Sequence, residues 1–273
     1  MTCLGGESQV WLDWVSASST LSSSATLEGQ TDSHTQSLIG RSLIAFQGGW
    51  PPTSAKLLEF QFQTTNGQVY SFHYGIFGSL TVNITGLGSQ SSATPATPTW
   101  EPLSLGQVTF HSITNQLSGV IDYRGTGLVC SGLIAQELPC VGIQSLSSNL
   151  PTTIDAIAGT LSFTNDSVQW SGQLGFSGPA LANAPEIGTL QGTVTFVAKG
   201  VATPIVAGST STGSLTLSWP ALTTPWKPEV SSTLAPGATW MPAGIVTART
   251  NGDLSVSIPL KNGSAFFRLV TGP

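Results

Sequence analysis

The chain carries three imidazoles, at His34, His73 and His111, and thirteen carboxylates with which to orient them. Nucleophilic catalysis near neutral pH needs a hydroxyl or thiol beside an imidazole that a carboxylate holds in place. In GQTDSHTQS, Asp32 stands two residues before His34, and side chains two apart in an extended segment project to one side. The pair is a candidate dyad, weighed against the plainer reading of two solvated residues in a polar loop. His73 is expected in a strand opposite Glu59, and His111 follows GQVTF with no acid beside it. No GxSxG elbow accompanies any of the three.

Glycoside hydrolysis needs two carboxylates facing one another across a cleft. Glu59, Glu101, Asp122 and Asp155 fall on or near expected strands and are the first suspects, although Asp122-Tyr123-Arg124 reads more simply as a local charge pair. HExxH, an Asp-rich calcium loop, CxxC and GxxxxGK[ST] are all missing from the sequence. The expectation is therefore of no catalytic residue, no metal and no cofactor. Cys130 and Cys140 bracket the loop CSGLIAQELPC, a spacing short enough for a loop-closing disulfide between them, with two free buried thiols as the alternative. Cys3 reads as a free thiol near the start.

The elements that must position these groups are set by an unusual composition. Of 273 residues, 40 % are hydrophobic but only 8 % are charged, so a core is available and the polar surface must be Ser, Thr, Gln, Asn and backbone. The eight basic residues stand singly with no stripe to neutralise phosphates, which argues against nucleic acid as a partner. A net charge of −5 gives weak self-repulsion, leaving the molecule free to associate with itself. No apolar run reaches 18 residues, so no membrane span is expected, and MTCLGGESQ lacks the charged and apolar regions of a signal peptide. The composition nonetheless points to an extracellular or cell-surface protein.

Helical periodicity is almost missing, and alternation punctuated by Gly, Pro and Asn-Gly predicts an all-β chain. In LLEFQFQTTNGQVYSFHY, a three-residue loop Thr65-Asn66-Gly67 would pair Phe62 with Tyr70, Phe60 with Phe72, Leu58 with Tyr74 and Glu59 with His73, making one face apolar. The same loop at Thr250-Asn251-Gly252 would pair Ala248 with Leu254 and Val246 with Val256. Separate strands are expected at 106–113 and 117–124, among others. The low-complexity stretch KGVATPIVAGSTSTGS suggests a boundary, giving a domain over 1–204 expected as an antiparallel sandwich or jelly roll, and a second over 205–273.

The second domain carries LTLSWP at 215–220, the run from Trp226 through SSTLAPGATW to Trp240, and a closing FFRL at 266–269. On these residues it resembles a small module at the C-terminal end of many secreted bacterial proteins, related to fibronectin type III and immunoglobulin-like sandwiches. The resemblance implies an accessory β-sandwich rather than a catalyst. Pro225 and Pro228 depart from the pattern and are expected to interrupt pairing around Trp226.

Two functions follow as expectations. The first is a non-enzymatic structural protein outside the cell, such as a filament, sheath or matrix subunit, with ESQVWLDWVSAS (7–18) adding as a strand to a neighbouring copy or simply pairing within its own domain. The alternative is a carbohydrate-binding or adhesive module, since aromatic faces stack on sugars. Trp11, Trp14, Trp50 and Trp100 are the candidate ligand or assembly surface, and the partner is another copy or a surface glycan. A glycoside-active enzyme on a sandwich scaffold ranks last.

Overall fold

The structure, a computed structural model, describes residues 7–91, 98–130, 141–145, 152–179, 188–211, 213–248, 253–259 and 265–271. Its long elements are all strands, as the alternation predicts. The first thirteen build one antiparallel sheet, and they align end to end into eight staves. The first stave is β1 (Glu7–Trp14) and β2 (Thr20–Leu27), and the second is β3 (Gln30–Gln47). The third is β4 (Ser54–Thr64) and β5 (Gln68–His73), and the fourth is β6 (Ser79–Ser91). The short β7 (Glu101–Pro102) pairs with β4 near its start, and β8 (Gln107–Thr126) is the fifth stave. β9 (Val141–Ser145) and β10 (Thr152–Thr164) form the sixth, β11 (Ser167–Pro179) the seventh, and β12 (Gly188–Val201) with β13 (Thr203–Ile205) the eighth.

Following the pairings from β3 through β2, β12, β11, β10, β8, β6 and β4 leads back to β3. The sheet thus closes into a ring where two separate sheets of a sandwich or jelly roll were expected. Closure follows from strand length. β3 runs 18 residues and β8 runs 20, so each meets different partners along its two halves. The expected strands 106–113 and 117–124 are in fact this one continuous β8. β1 has partners on both edges, β3 on one and β12 and β13 on the other, so residues 7–14 offer no free edge to a second copy.

The end of the barrel that holds Phe46, Trp50 and Phe163, called the near end, is filled with rings. Trp14 stacks on Phe196 at 4.8 Å, Trp170 meets Phe196 edge-on at 4.6 Å and Phe110 at 5.4 Å, and Phe60 touches Trp14 and Trp170. Each such contact adds about 0.5–1.5 kcal/mol beyond the area it buries. The one polar ring atom of Trp14 donates to Ser42 Oγ at 3.1 Å. Two glycines make room: a Cβ on Gly159 would lie 2.5 Å from Trp170 Nε1, and one on Gly172 would lie 2.5 Å from Phe196 Cζ.

The far half is different. β10 pairs with β11 only from Ala158 to Thr164, and β3 pairs with β4 only from Leu38 onward. Beyond those points, among the described residues, the ring parts along two seams into facing sheets, β11–β12–β2–β3 and β5–β6–β8–β9.

The hairpin expected over 57–74 is not formed. Thr65-Asn66-Gly67 bends the chain without reversing it, and β4 and β5 continue in one direction alongside β3. Tyr70 lies opposite Val82 and Phe72 opposite Leu80, while Phe62 lies opposite Gly40 and Ser89. Phe60, Tyr70 and Phe72 are buried as the alternation requires, but alternation fixes a face and not a partner.

After Ile205 the chain forms two small sheets. One contains β14 (Ala207–Ser211), β15 (Ser214–Pro220), β18 (Thr247–Ala248) and β19 (Asp253–Pro259). The other contains β16 (Trp226–Ser231), β17 (Met241–Pro242) and β20 (Phe266–Thr271). They share a core in which Trp226, Phe267 and Leu269 pack against Leu217, Trp219 and Val256. Ala248 lies opposite Leu254 in the expected register, while Thr250-Asn251-Gly252 lies outside the described residues. Pro228 does not interrupt its strand: it sits opposite Leu269, and its carbonyl accepts the Ala243 N–H at 2.9 Å. The barrel meets these sheets at the β10–β11 turn, where the buried Asp166 carboxylate accepts the N–H groups of Thr223 and Thr224, each at 2.6 Å.

Candidate functional site

GQTDSHTQS, expected as a polar loop, is the beginning of β3. Glu28 and Gly29 both take positive φ, 45° and 77°, and close a two-residue turn of the kind that joins β2 to β3 without splaying them. The hairpin escapes a hydropathy reading because its outward residues are hydroxyls while several inward ones are small or polar. The signal it does carry is a period of two in hydroxyls: Thr20, Ser22, Ser24, Thr26 on one strand and Thr31, Ser33, Thr35, Ser37 on the other.

Register extends these residues into rows across four strands. One row is Gln173, Thr195, Thr20 and Ser37; the next is Gly175, Thr193, Ser22 and Thr35; the third is Ser177, Gln191, Ser24 and Ser33. Nine of these twelve positions are Ser or Thr and none is charged. Hydroxyls bond across the β2–β3 ladder, Ser22 with Thr35 at 3.1 Å, Ser24 with Ser33 at 3.0 Å and Thr26 with Thr31 at 2.9 Å. An open hollow of about 680 Å³ lies against the second and third rows, lined by those eight residues and the four between them, Ser23, His34, Phe176 and Gly192. Among the described residues, none of the facing sheet β5–β6–β8–β9 lines it and the outward residues of β2, β3, β11 and β12 do, which puts it on the outer side of the wall.

Behind this wall, at the β3–β5 seam, lies a polar cluster that includes the candidate dyad. Asp32 and His34 do meet, Oδ2 to Nε2 at 3.2 Å. The same Asp32 oxygen accepts the Ser71 N–H at 2.8 Å, and Oδ1 accepts the Ser33 N–H at 2.8 Å. The Ser71 N–H chiefly, with His34 and Ser33, holds the Asp32 carboxyl below its ordinary value against the upward push of burial. Gln36 Nε2 donates to the Gly67 carbonyl at 2.6 Å, a second bridge over the seam.

Ser23 is directly opposite His34, the position a nucleophile would take. Its hydroxyl, however, lies 2.7 Å from the Tyr70 hydroxyl, which donates in turn to Gln68 Oε1 at 3.0 Å. Ser23, Tyr70 and Gln68 are all buried, and burial raises the Tyr70 phenol above its ordinary value. The serine hydroxyl is engaged by Tyr70. The cluster ties β2 and β3 to β5 with hydrogen bonds where ladder bonds are missing.

The carboxylates flagged by sequence lie apart. Glu59 sits in β4 opposite Leu43, Glu101 accepts from Thr99 Oγ1 at 2.9 Å, and Asp122 pairs with Arg124 at 3.3 Å. Asp155 lies in β10 with its side chain outside the described residues, and His73 is opposite Ser79 rather than Glu59. The four candidate tryptophans form no row. Trp11 is 40 % exposed with the Arg41 guanidinium 3.5 Å over its ring, whereas Trp14 is buried inside the barrel. Trp50 is half-buried and donates to the Asn165 carbonyl at 2.6 Å, and half-buried Trp100 carries Lys56 Nζ at 4.4 Å. Cys130 ends a short 3-10 helix, Gly127–Cys130. Cys3 and Cys140, and with them the expected Cys130–Cys140 bridge, lie outside the described residues.

No family model and no curated protein sequence matches this chain. Among solved structures it is similar to that of Ail, the attachment invasion locus protein of Yersinia pestis, in complex with the heparin analogue sucrose octasulfate, at 8 % identity over 73 % of this chain and 100 % of that one. The TM-score is 0.30, too low for the likeness to carry any argument.

Proposed function

We propose that this protein is a non-enzymatic structural protein of the cell exterior, a passive scaffold that contacts copies of itself or surface material through uncharged side-chain faces. The observation that carries this reading is the pairing of an aromatic-filled barrel with an outer wall of hydroxyls. The interior is occupied by the chain's own rings, and the ionisable groups that do meet are engaged in local pairs such as Asp122–Arg124 and Glu229–Arg268. An outward hydroxyl surface is also the reverse of the apolar band a membrane-spanning barrel turns to lipid. Association in this reading uses faces, because β1 is paired on both edges. The two small sheets that follow serve as an accessory sandwich of the immunoglobulin or fibronectin kind.

Light scattering of the purified chain across a wide concentration range, with electron microscopy of the same samples, tests the proposal. Growth into dimers or regular polymers is the expected result. A strictly monomeric particle at every concentration contradicts it, as does turnover of any substrate that disappears when Asp32 or His34 is altered.

A further inference from the structure

We infer that the hollow on the β11–β12–β2–β3 wall binds a neutral saccharide, a site that goes beyond the scaffold reading and does not depend on it. Among the described residues its lining holds no Asp, Glu, Lys or Arg, and its one imidazole, His34, is already engaged by Asp32, so an ionic ligand would lose its hydration there without gaining a free counter-charge. A purely apolar ligand would cover the hydrogen-bonding capacity that the cross-strand pairs leave open, at a cost of about 1–3 kcal/mol for each polar group buried without a partner. A polyol suits the lining, because every hydroxyl on both sides can donate and accept.

Preorganisation favours the same class. Ser22, Thr35, Ser24 and Ser33 are held by their cross-strand bonds before a ligand arrives, which limits the freedom lost on binding while leaving acceptor positions open. Shape adds a third argument. Four strands span about 14 Å from first to last, and the hollow is open along its length, which suits a short chain better than an enclosed small molecule. Its floor dips at Gly175, an exposed position where a Cβ would meet nothing within 4 Å. A second copy of the same wall is a poorer occupant, since a concave face cannot seat on itself.

Isothermal titration with a panel of uncharged oligosaccharides (α- and β-linked glucans and a xylan), beside an acidic oligogalacturonate, tests the assignment. Saturable binding to at least one neutral member, with no tighter binding of the acidic one, is expected. Gly175→Tyr should fold normally, because the space is open and the backbone φ is ordinary there, and should weaken binding by at least about tenfold. Gln191→Ala, removing one amide partner, should weaken it about three- to tenfold. Thr81→Ala, on β6 across the barrel, should leave it unchanged. No binding to any neutral member, preference for the acidic sugar, or undiminished binding by Gly175→Tyr each overturns the inference. Light scattering on the same samples separates the two ideas: an assembling protein that binds no sugar defeats this inference alone, and a monomer that binds sugar defeats the scaffold reading alone.

Discussion

The near half of the barrel excludes water with interlocked rings, whereas the far half parts along two seams and is held by side-chain hydrogen bonds. At the near end Trp14, Phe60, Phe110, Trp170 and Phe196 fill the space inside the sheet. At the far end Asp32 bridges β3 to β5, Gln36 reaches from β3 to Gly67 just before β5, Tyr70 ties β5 to Ser23 of β2, and the Tyr74 hydroxyl donates to the Leu27 carbonyl at 3.1 Å. The contrast separates two jobs within one sheet. Rings pack the near half, and the outer wall of the parted half carries uncharged hydroxyls.

The largest effect expected from this contrast is at Trp170, which is fully buried among Phe60, Phe110 and Phe196. Trp170→Ala should cost about 3–5 kcal/mol in chemical denaturation, enough to unfold much of the population. Asp166 ranks next. Burial pushes its carboxyl up, but the Thr223 and Thr224 donors outweigh that push and hold it below its ordinary value. A carboxyl depressed by folding contributes stability in full above its unfolded value, about 3.9, and loses that contribution as the pH falls through the lower folded value. Asp32 has the same sign at the far seam. Denaturation midpoints should therefore fall as the pH drops below about 4. Asp166→Asn should cost about 1–3 kcal/mol at neutral pH and flatten that acid limb. An acid limb left as steep in Asp166→Asn would show that the junction does not rest on this carboxylate.

Glycine substitutions sharpen the comparison with smaller effects. Gly159→Ala places a methyl against Trp170 Nε1 and the Ser171 carbonyl and should cost about 1–3 kcal/mol. Gly175→Ala meets nothing and should be neutral or stabilise by up to about 1 kcal/mol through the unfolded chain. Equal costs at the two sites would erase the distinction between a packed half and an open one.

The same contrast sets what was legible in the sequence. Phe60, Tyr70 and Phe72 declare their inward face by alternation, and the all-β character follows from such segments. Their partners do not declare themselves. Asn66-Gly67 has the composition of a hairpin turn yet only bends a stave, because β6 offers a bulge opposite it between Thr85 and Gly88. Closure into a ring depends on β3 and β8 changing neighbours midway, a long-range property that no local pattern encodes. The Asp32–His34 contact was legible as two side chains on one side of an extended segment. The hydroxyl wall was not, because β2 and β3 put Ser23, Asp32 and His34 inward, where a hydropathy pattern expects apolar residues. Among the candidate tryptophans, Trp14 alternates with Asp13 and takes the inner face, while Trp11 and Trp100 each carry a cation over one side of the ring.

Amide hydrogen exchange resolved to single residues tests the division of the barrel most directly. Amides along the ladder from Ala158 to Thr164 and from Ser167 to Gln173 should exchange only through global unfolding. Seam-facing amides of β3 over 30–37 and of β11 over 174–179 should exchange at least about tenfold faster, through local opening. Uniform protection along the full lengths of β3 and β11 would contradict a barrel packed with rings at one end and parted at the other.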